Sequence, residues 1–327
     1  MHYWTYFRAA AIIGLGLAIS LTPLEAATRK FIAADSSKQR IAIIDEDGAT
    51  EWEYPIGPLH DLHVLANGNV LFQDSWTHVV ELDRESKRIV WQYDAKQSPG
   101  NENRKIEIHA FQRLADGNTM IAESGRGRIV EVAANGQIIK EFQLHISNPH
   151  PHRDTRLARK LQNGHYLVCH EGDGAVREYD GSGKVVWDYT VPLFGKEPRP
   201  GHGVEAFGNQ CFSALRLANG NTLIGTGNGH GVIEVTPQEE IVWSLHQNDL
   251  PGIQLAWVTT LQVLPSGNIL IGNCHAGPEN PQLIEVTREK KIVWQFQDFQ
   301  RFGDSLTNSQ ILSIDGEPIA TKPIATR

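Results

Sequence analysis

Apolar and polar positions along this chain alternate in short blocks. Runs such as Val70-Leu71-Phe72, Met120-Ile121-Ala122 and Tyr166-Leu167-Val168-Cys169 are bounded by Asn, Asp, Gly and Thr. Short aliphatic and aromatic runs between turn residues predict β-strands. Many of the runs lack an apolar/polar alternation, which predicts burial on both faces.

The blocks recur with a period. LANGNVLF begins at 65, LADGNTMI at 114, LQNGHYLV at 161, LANGNTLI at 217 and LPSGNILI at 264, with a degenerate SIDGEPIA at 313. The turn residue before Gly falls at 67, 116, 163, 219, 266 and 315, giving spacings of 49, 47, 56, 47 and 49. Each unit has a second half with a Glu-bearing run: VVEL, IVEV, VREY, VIEV and LIEV, carrying Glu81, Glu131, Glu178, Glu234 and Glu285. Farther on stands Trp91, Trp187, Trp243 or Trp294, with Lys140 in this slot of the second unit. Each unit therefore reads strand, Asn-Gly turn, strand, loop, strand, turn, strand. Asn, Asp and Gly suit hairpin turns because they tolerate positive φ. A four-stranded unit with this period predicts the blade of a propeller; it is too long for a leucine-rich or ankyrin repeat.

The two ends complement each other. Residues 31–54 hold only the last three strands of a unit, with Trp52 in the Trp slot, and residues 306–317 hold only the first strand and its turn. Together they predict one composite blade, which removes the open edge of an incomplete ring. The expected fold is an all-β, six-bladed propeller forming a single domain over 27–317, followed by a mobile tail over 318–327.

Ahead of it, Arg8, the apolar run Ala9–Leu21 and the small-residue site Leu24-Glu25-Ala26 read as a secretory signal peptide over 1–26. The run is shorter than the ~20 residues needed to span a bilayer. The expected location is periplasmic or secreted, with no later membrane span. Lys and Arg number 30 against 38 Asp and Glu, a formal charge of -8, which repels a phosphate backbone and excludes nucleic acid as a general partner. Cys169, Cys211 and Cys274 allow at most one internal disulfide, and the sequence leaves open whether any two of them pair.

A residue present in nearly every blade is structural first, so the repeated Glu and Trp are expected to pack and pair between blades. Chemistry breaks the symmetry. Apart from His2 in the leader and His165, every histidine maps to the face that carries the inter-blade connections and the loops between second and third strands. The residue seven positions before each turn residue should sit at the mouth of the central channel. Round the ring it is His60, His109, Arg156, Phe212, Thr259 and Asn308. Arg grips carboxylate, sulfate or phosphate with two hydrogen bonds, and His donates to the same anion or shuttles a proton. His60, His109 and Arg156 are the candidate catalytic residues. With His152, His202, Trp76, Trp257 and Asn308 they form the candidate ligand site. The segment 191–210, which lengthens one repeat, is expected to fold over this face. Imidazoles and carboxylates on separate loops also make a metal possible, with His150, His152, His170, Glu171 and His275 as candidates. No HExxH, GxSxG, Walker or dinucleotide fingerprint is present.

The repeat LxNGNxLI…VIEVxxxxxIVW resembles the bacterial propeller repeats of pyrroloquinoline-quinone-type and arylsulfotransferase-type proteins, over nearly all of residues 31–317. Quinoproteins of that kind have eight blades and an adjacent Cys-Cys pair. Six units and no such pair make pyrroloquinoline quinone an unexpected cofactor here. The arylsulfotransferase resemblance implies six blades, export, and His and Arg gripping a sulfuryl group, roles that would fall to His60, His109 and Arg156. The sequence thus supports an exported propeller that binds a small anionic, aryl or sugar ligand, or a protein partner, on its histidine face. A histidine-dependent transferase or metal-assisted lyase is the alternative.

Overall fold

In the computed structural model, placement is described for Met1 and residues 27–319. The signal-peptide reading and nearly all of the expected tail lie outside the described residues.

The repeats build six antiparallel sheets arranged as a six-bladed propeller. Blade 1 runs Leu62–Val64, Val70–Ser75, His78–Leu82, Ile89–Asp94. Blades 2 to 5 follow the same four-strand order and begin with inner strands Glu107–Arg113, Ala158–Lys160, Ser213–Arg216 and Trp257–Val263. Blade 6 is the composite one. Its inner strand Leu306–Ile314 pairs antiparallel with Arg29–Asp35, which leads outward to Arg40–Ile44 and Thr50–Pro55. A two-residue strand, Glu317–Pro318, folds back on Leu306–Ile314, and the Ile319 amide donates to the Leu312 carbonyl (2.8 Å), so the sheet runs slightly past the expected domain end.

The repeat hairpins use the positive φ of Gly and, except in the last, not that of the residue before it. The Gly68 amide bonds to Leu65 O, and the Leu65 amide to Asn69 O, which makes a three-residue loop. Only Gly68 is left-handed there (φ 86°). Asn67 acts instead through its side chain, which accepts the Asn69 amide at 3.0 Å. Asp116, Asn163 and Asn219 repeat this contact. Asp315 and Gly316 both have positive φ, and the last of these repeat turns is the tight two-residue kind.

Middle strands such as Ile269–Cys274 are buried throughout, because each blade is covered on both faces by its neighbours. The repeated glutamates are the stitches between blades. Glu81 pairs with Arg113 (2.6 Å), Glu131 with Lys160 (2.6 Å), Glu178 with Arg216 (2.5 Å) and Glu285 with Arg29 (2.8 Å). In blade 5 Val263 stands where Arg113, Lys160 and Arg216 stand in their blades, and Arg288 reaches Glu234 from an outer turn instead. The same cations cover the repeated indoles: Arg113 lies 4.8 Å from the Trp91 ring, Arg216 5.4 Å from Trp187 and Arg288 4.7 Å from Trp243. Lys140, in the Trp slot of blade 2, sits 5.1 Å from the Tyr166 ring.

Candidate functional site

The central channel is blocked below its mouth. Asp61 takes two hydrogen bonds from the buried Arg159 guanidinium (2.8 and 3.0 Å) and one from the Phe111 amide (3.1 Å). His63 lies 3.3 Å from the same carboxylate and donates from Nε2 toward Phe111 O. Burial alone would raise the Asp61 carboxyl, but Arg159 and His63 hold it far below the usual carboxylate range. This buried ion pair forms a floor beneath the mouth residues.

Four of the residues predicted at the mouth converge there. His60, Arg156 and Phe212 lie just ahead of the inner strands of blades 1, 3 and 4, and His109 lies within that of blade 2. His109 falls at a register shift between Ile108 and Ala110, a bulge that re-aims one side chain. The buried Gln73 carboxamide fixes the relation between two of them. Its oxygen accepts the His60 amide (2.8 Å) and its nitrogen donates to Ile108 O, beside His109. His60 Nδ1 and His109 Nδ1 are 2.8 Å apart, so one of the two is protonated and donates. Asn308 lies beneath, donating to His60 O at 3.0 Å. Thr259, the remaining position on this ring, is fully buried.

His152 arrives from the connection between blades 2 and 3. Its ring centroid is 5.0 Å from that of His109 and 5.5 Å from that of His60. The Trp76 indole stands between all three imidazoles, at 4.9 Å from His60, 5.2 Å from His109 and 5.1 Å from His152. The Arg156 guanidinium is buried against the Phe212 ring. Nε pairs with Glu171, and Nη1 donates to His152 O. Nη2 makes no hydrogen bond, so one arm of the fork is uncommitted.

A second group faces this one. The exposed His202, on the 191–210 segment, lies 4.6 Å from the Trp257 ring and 5.2 Å from that of His275. Trp257, Phe212, Leu157 and Cys274 make an apolar patch that joins the two groups. The segment thus lies over the histidine face as expected.

Other candidates are placed elsewhere. His150 is exposed, and its Nδ1 accepts the His152 amide (3.1 Å). His170 is fully buried, with Nδ1 on Asp154 O (2.7 Å) and Nε2 on the Tyr179 hydroxyl (2.8 Å). Both of its ring nitrogens are occupied, which corrects the metal-ligand expectation for His170 to a structural role. Glu171 serves as the Arg156 counter-ion. Among the described residues all three cysteines are unpaired and buried.

Sequence reasoning missed Glu107. It is buried, and its Oε2 lies 2.5 Å from His152 Nδ1 and 3.3 Å from His109 Nε2. The signal was partial: Glu107 stands two residues before His109, but the bulge at His109 breaks the simple alternation along that strand.

Burial sets the charge states. It lowers His60 well below its usual value, with Arg156, His109 and His152 adding to the effect. His109 is pushed down to about 3 by burial, against the opposing pull of Glu107. Burial also works to raise Glu107, but the hydrogen bond from His152 and the nearby His109 ring prevail and hold it well below the usual carboxylate range. Burial raises Glu171, while Arg156 opposes. At neutral pH the site therefore presents neutral His60 and His109, an ionised Glu107 and an Arg156–Glu171 ion pair.

A cavity of about 780 Å³ is on the opposite face between blades 3, 4 and 5. Leu161, Leu215, Leu217 and Val263 line it, and its cations Arg216 and Arg288 are already paired with Glu178 and Glu234. It holds no histidine and no aromatic ring, unlike the cluster at the channel mouth.

Fold and repeat together define a six-bladed propeller of the quinoprotein-like repeat class. Within that class, residues 37–296 match the PQQ_2 family, described as outer membrane protein assembly factor BamB, and the chain belongs to this family. No curated protein matches the chain. Among solved structures, it is similar to a protein of unknown function from Bacteroides caccae, at 25% identity and a TM-score of 0.70, covering 90% of this chain and 99% of that one. It is also similar in fold to a streptogramin B lyase (13% identity, TM-score 0.56, 85% of each chain covered). A catalytically inactive virginiamycin B lyase from Staphylococcus aureus with quinupristin is a further fold relative (11% identity, TM-score 0.54, 84% of this chain and 86% of that one). No helix among the described residues is long and apolar enough to cross a membrane.

Proposed function

We propose that this protein is an exported binding propeller. Its pocket at the channel mouth takes a small molecule with an anionic head and an aromatic body. The observation that carries this reading is the convergence of the uncommitted Arg156 Nη2 and the imidazoles of His60, His109 and His152 around Trp76, with Trp257 and His202 opposite. A planar fork and imidazole N–H groups suit an anion, and indole faces suit an aryl ring. Binding is favoured over histidine catalysis because, among the described residues, no hydroxyl or thiol is hydrogen-bonded to these imidazoles as an activated nucleophile would be. Export rests on the leader at residues 1–26, and the mass of the mature protein should correspond to cleavage after Ala26.

The test is calorimetric titration of the isolated protein with 4-nitrophenyl sulfate, 4-nitrophenyl phosphate and benzoate. At least one should bind with 1:1 stoichiometry. Arg156→Lys keeps a charge beside Glu171 but loses the fork, and should weaken binding by about tenfold. Failure of all three probes at millimolar concentration, or equal affinity in the variant, overturns the reading. Release of nitrophenol during the titration would move it to the transferase alternative.

A second reading makes the partner a protein, as the family description suggests. The outer strands expose aliphatic pairs, Ile89 with Val90 and Ile241 with Val242, which supports it.

A further inference from the structure

We propose that Glu107, His109 and His152 form a three-ligand site for a zinc-class divalent ion, open on the side that faces the pocket. The proposal deepens the reading of that pocket and rests on it only for what the open coordination position meets.

The geometry is the first support. Glu107, His109 and His152 each offer one ligand atom, these atoms all lie within 4.8 Å of one another, and among the described residues no other group of His, Cys, Asp and Glu does so. Metal–ligand bonds of about 2.0–2.1 Å at tetrahedral angles put ligand atoms roughly 3.3 Å apart. The separation of Glu107 Oε2 and His109 Nε2 is already 3.3 Å. His152 Nδ1 stands at 2.5 Å from the carboxylate and has to withdraw by less than an ångström. It can do so because it sits on a connection, with its side chain about one-third exposed, whereas Glu107 and His109 are fixed on an inner strand.

An independent support is the orphan nitrogen. His109 is fully buried, and its Nε2 makes no hydrogen bond despite the nearby carboxylate, whose direction is wrong for one. Buried polar atoms are nearly always partnered, and an exception calls for an explanation. An ion bound by Nε2 provides one. It also fixes the neighbouring proton: His109 Nδ1–H then donates to His60 Nδ1 across 2.8 Å. A ligating imidazole commonly donates its other N–H to an outer partner, which orients the ring. Two imidazoles and one carboxylate with an open position match zinc catalytic and binding sites in ligand type.

Arg156 does not prevent this, since its Nε is matched by Glu171 and its Nη1 by the His152 carbonyl. A divalent ion would add positive charge to what the Arg156 fork already offers an anionic head. Trp76 lies 5.2 and 5.1 Å from the two ligand rings and serves as a built-in reporter.

The test uses chelator-treated full-length protein and CoCl2 or ZnSO4 alone, with no organic probe. We expect one equivalent of cobalt to bind, with visible absorption bands and quenching of tryptophan fluorescence, and zinc to displace it. Glu107→Gln and His152→Ala should each weaken binding by at least about tenfold. His150→Ala, the exposed neighbour, should leave it unchanged. Trp76→Phe should lose most of the quenching and keep the stoichiometry. Absence of stoichiometric cobalt or zinc in the folded wild-type chain overturns the proposal, as does unchanged affinity in His152→Ala. If Glu107→Gln does not fold, His152→Ala carries the decision because its side chain is partly exposed. Binding of the aryl probes is measured separately, so either reading can fail alone.

Discussion

Asp61→Asn is the most informative single change to the scaffold. The substitution keeps the shape of the side chain and one carbonyl oxygen, which can still accept the Phe111 amide. It removes the charge that matches Arg159, whose guanidinium is 3% exposed and bonded through two nitrogens to Asp61. Removing one partner of a buried ion pair costs about 3–5 kcal/mol because the other charge is left uncompensated in a poorly solvated place. With about 2.1 cal/mol/K of unfolding entropy per residue over roughly 300 residues, that loss lowers Tm by about 5–8 °C. Differential scanning calorimetry at pH 7 reads it directly. The same argument fixes the sign of a second variant. Adding Arg159→Met to Asp61→Asn removes the stranded charge, so the double variant should be more stable than the single one by about 2 kcal/mol. A Tm change below about 2 °C in Asp61→Asn, or a double variant no more stable than the single, would refute the claim that this pair is a dry electrostatic plug.

Other expectations follow from groups away from the pocket floor. Burial, with Arg177, lowers His170 to about 4 from 6.5. The unfolded chain therefore binds the proton more readily, so its stabilisation is present above pH 6.5 and is lost as pH falls toward 4, by roughly 3 kcal/mol; a urea midpoint flat across this range contradicts it. Tyr179→Phe removes the hydroxyl partner of His170 Nε2 and should cost about 1–3 kcal/mol, checked by the same denaturation curves. Cys169 and Cys274 are buried, and their thiols are held well above their usual value by that burial. A maleimide should label the three cysteines only after denaturation, and rapid labelling of native protein would show an opening the structure lacks. Gly227 has φ +56°, and a Cβ there would lie 1.9 Å from Gln210 O, while its carbonyl accepts the Val258 amide beside Trp257. Gly227→Ala should lower Tm by several degrees and, by moving Trp257, weaken aryl binding; a variant with wild-type melting and affinity rejects this.

The fold was legible because it is periodic. The turns, the Glu-bearing strands and most of the outer indoles recur at nearly fixed spacing, so each blade confirmed the others, and the partial units at the ends could be joined. The mouth of the channel was half legible. Counting back from the turns found His60, His109, Arg156 and Phe212, since inner strands keep a common register. It passed over Glu107, two positions farther back, and over the bulge that re-aims His109. His152 belongs to a connection with no period of its own. His170 was misread because HEGDG has the composition of a site, whereas its burial depends on Tyr179 and Asp154. The Asp61–Arg159 plug joins residues 98 apart and has no local signature.

The composite blade also sets a clock. Arg29–Asp35 is synthesised first of all the strands, and Leu306–Ile314, its inner partner, almost last, roughly 280 residues later. At about 5–20 residues per second that interval is roughly 15–55 s. Throughout it, the inner backbone groups of Arg29–Asp35 have no strand to pair with, and the nascent chain carries an exposed β-edge at its front. The final dozen residues of that inner strand and its turn, rather than any blade in the middle, determine when this exposure ends. A chaperone that protects the protein would have to hold its beginning until its end arrives.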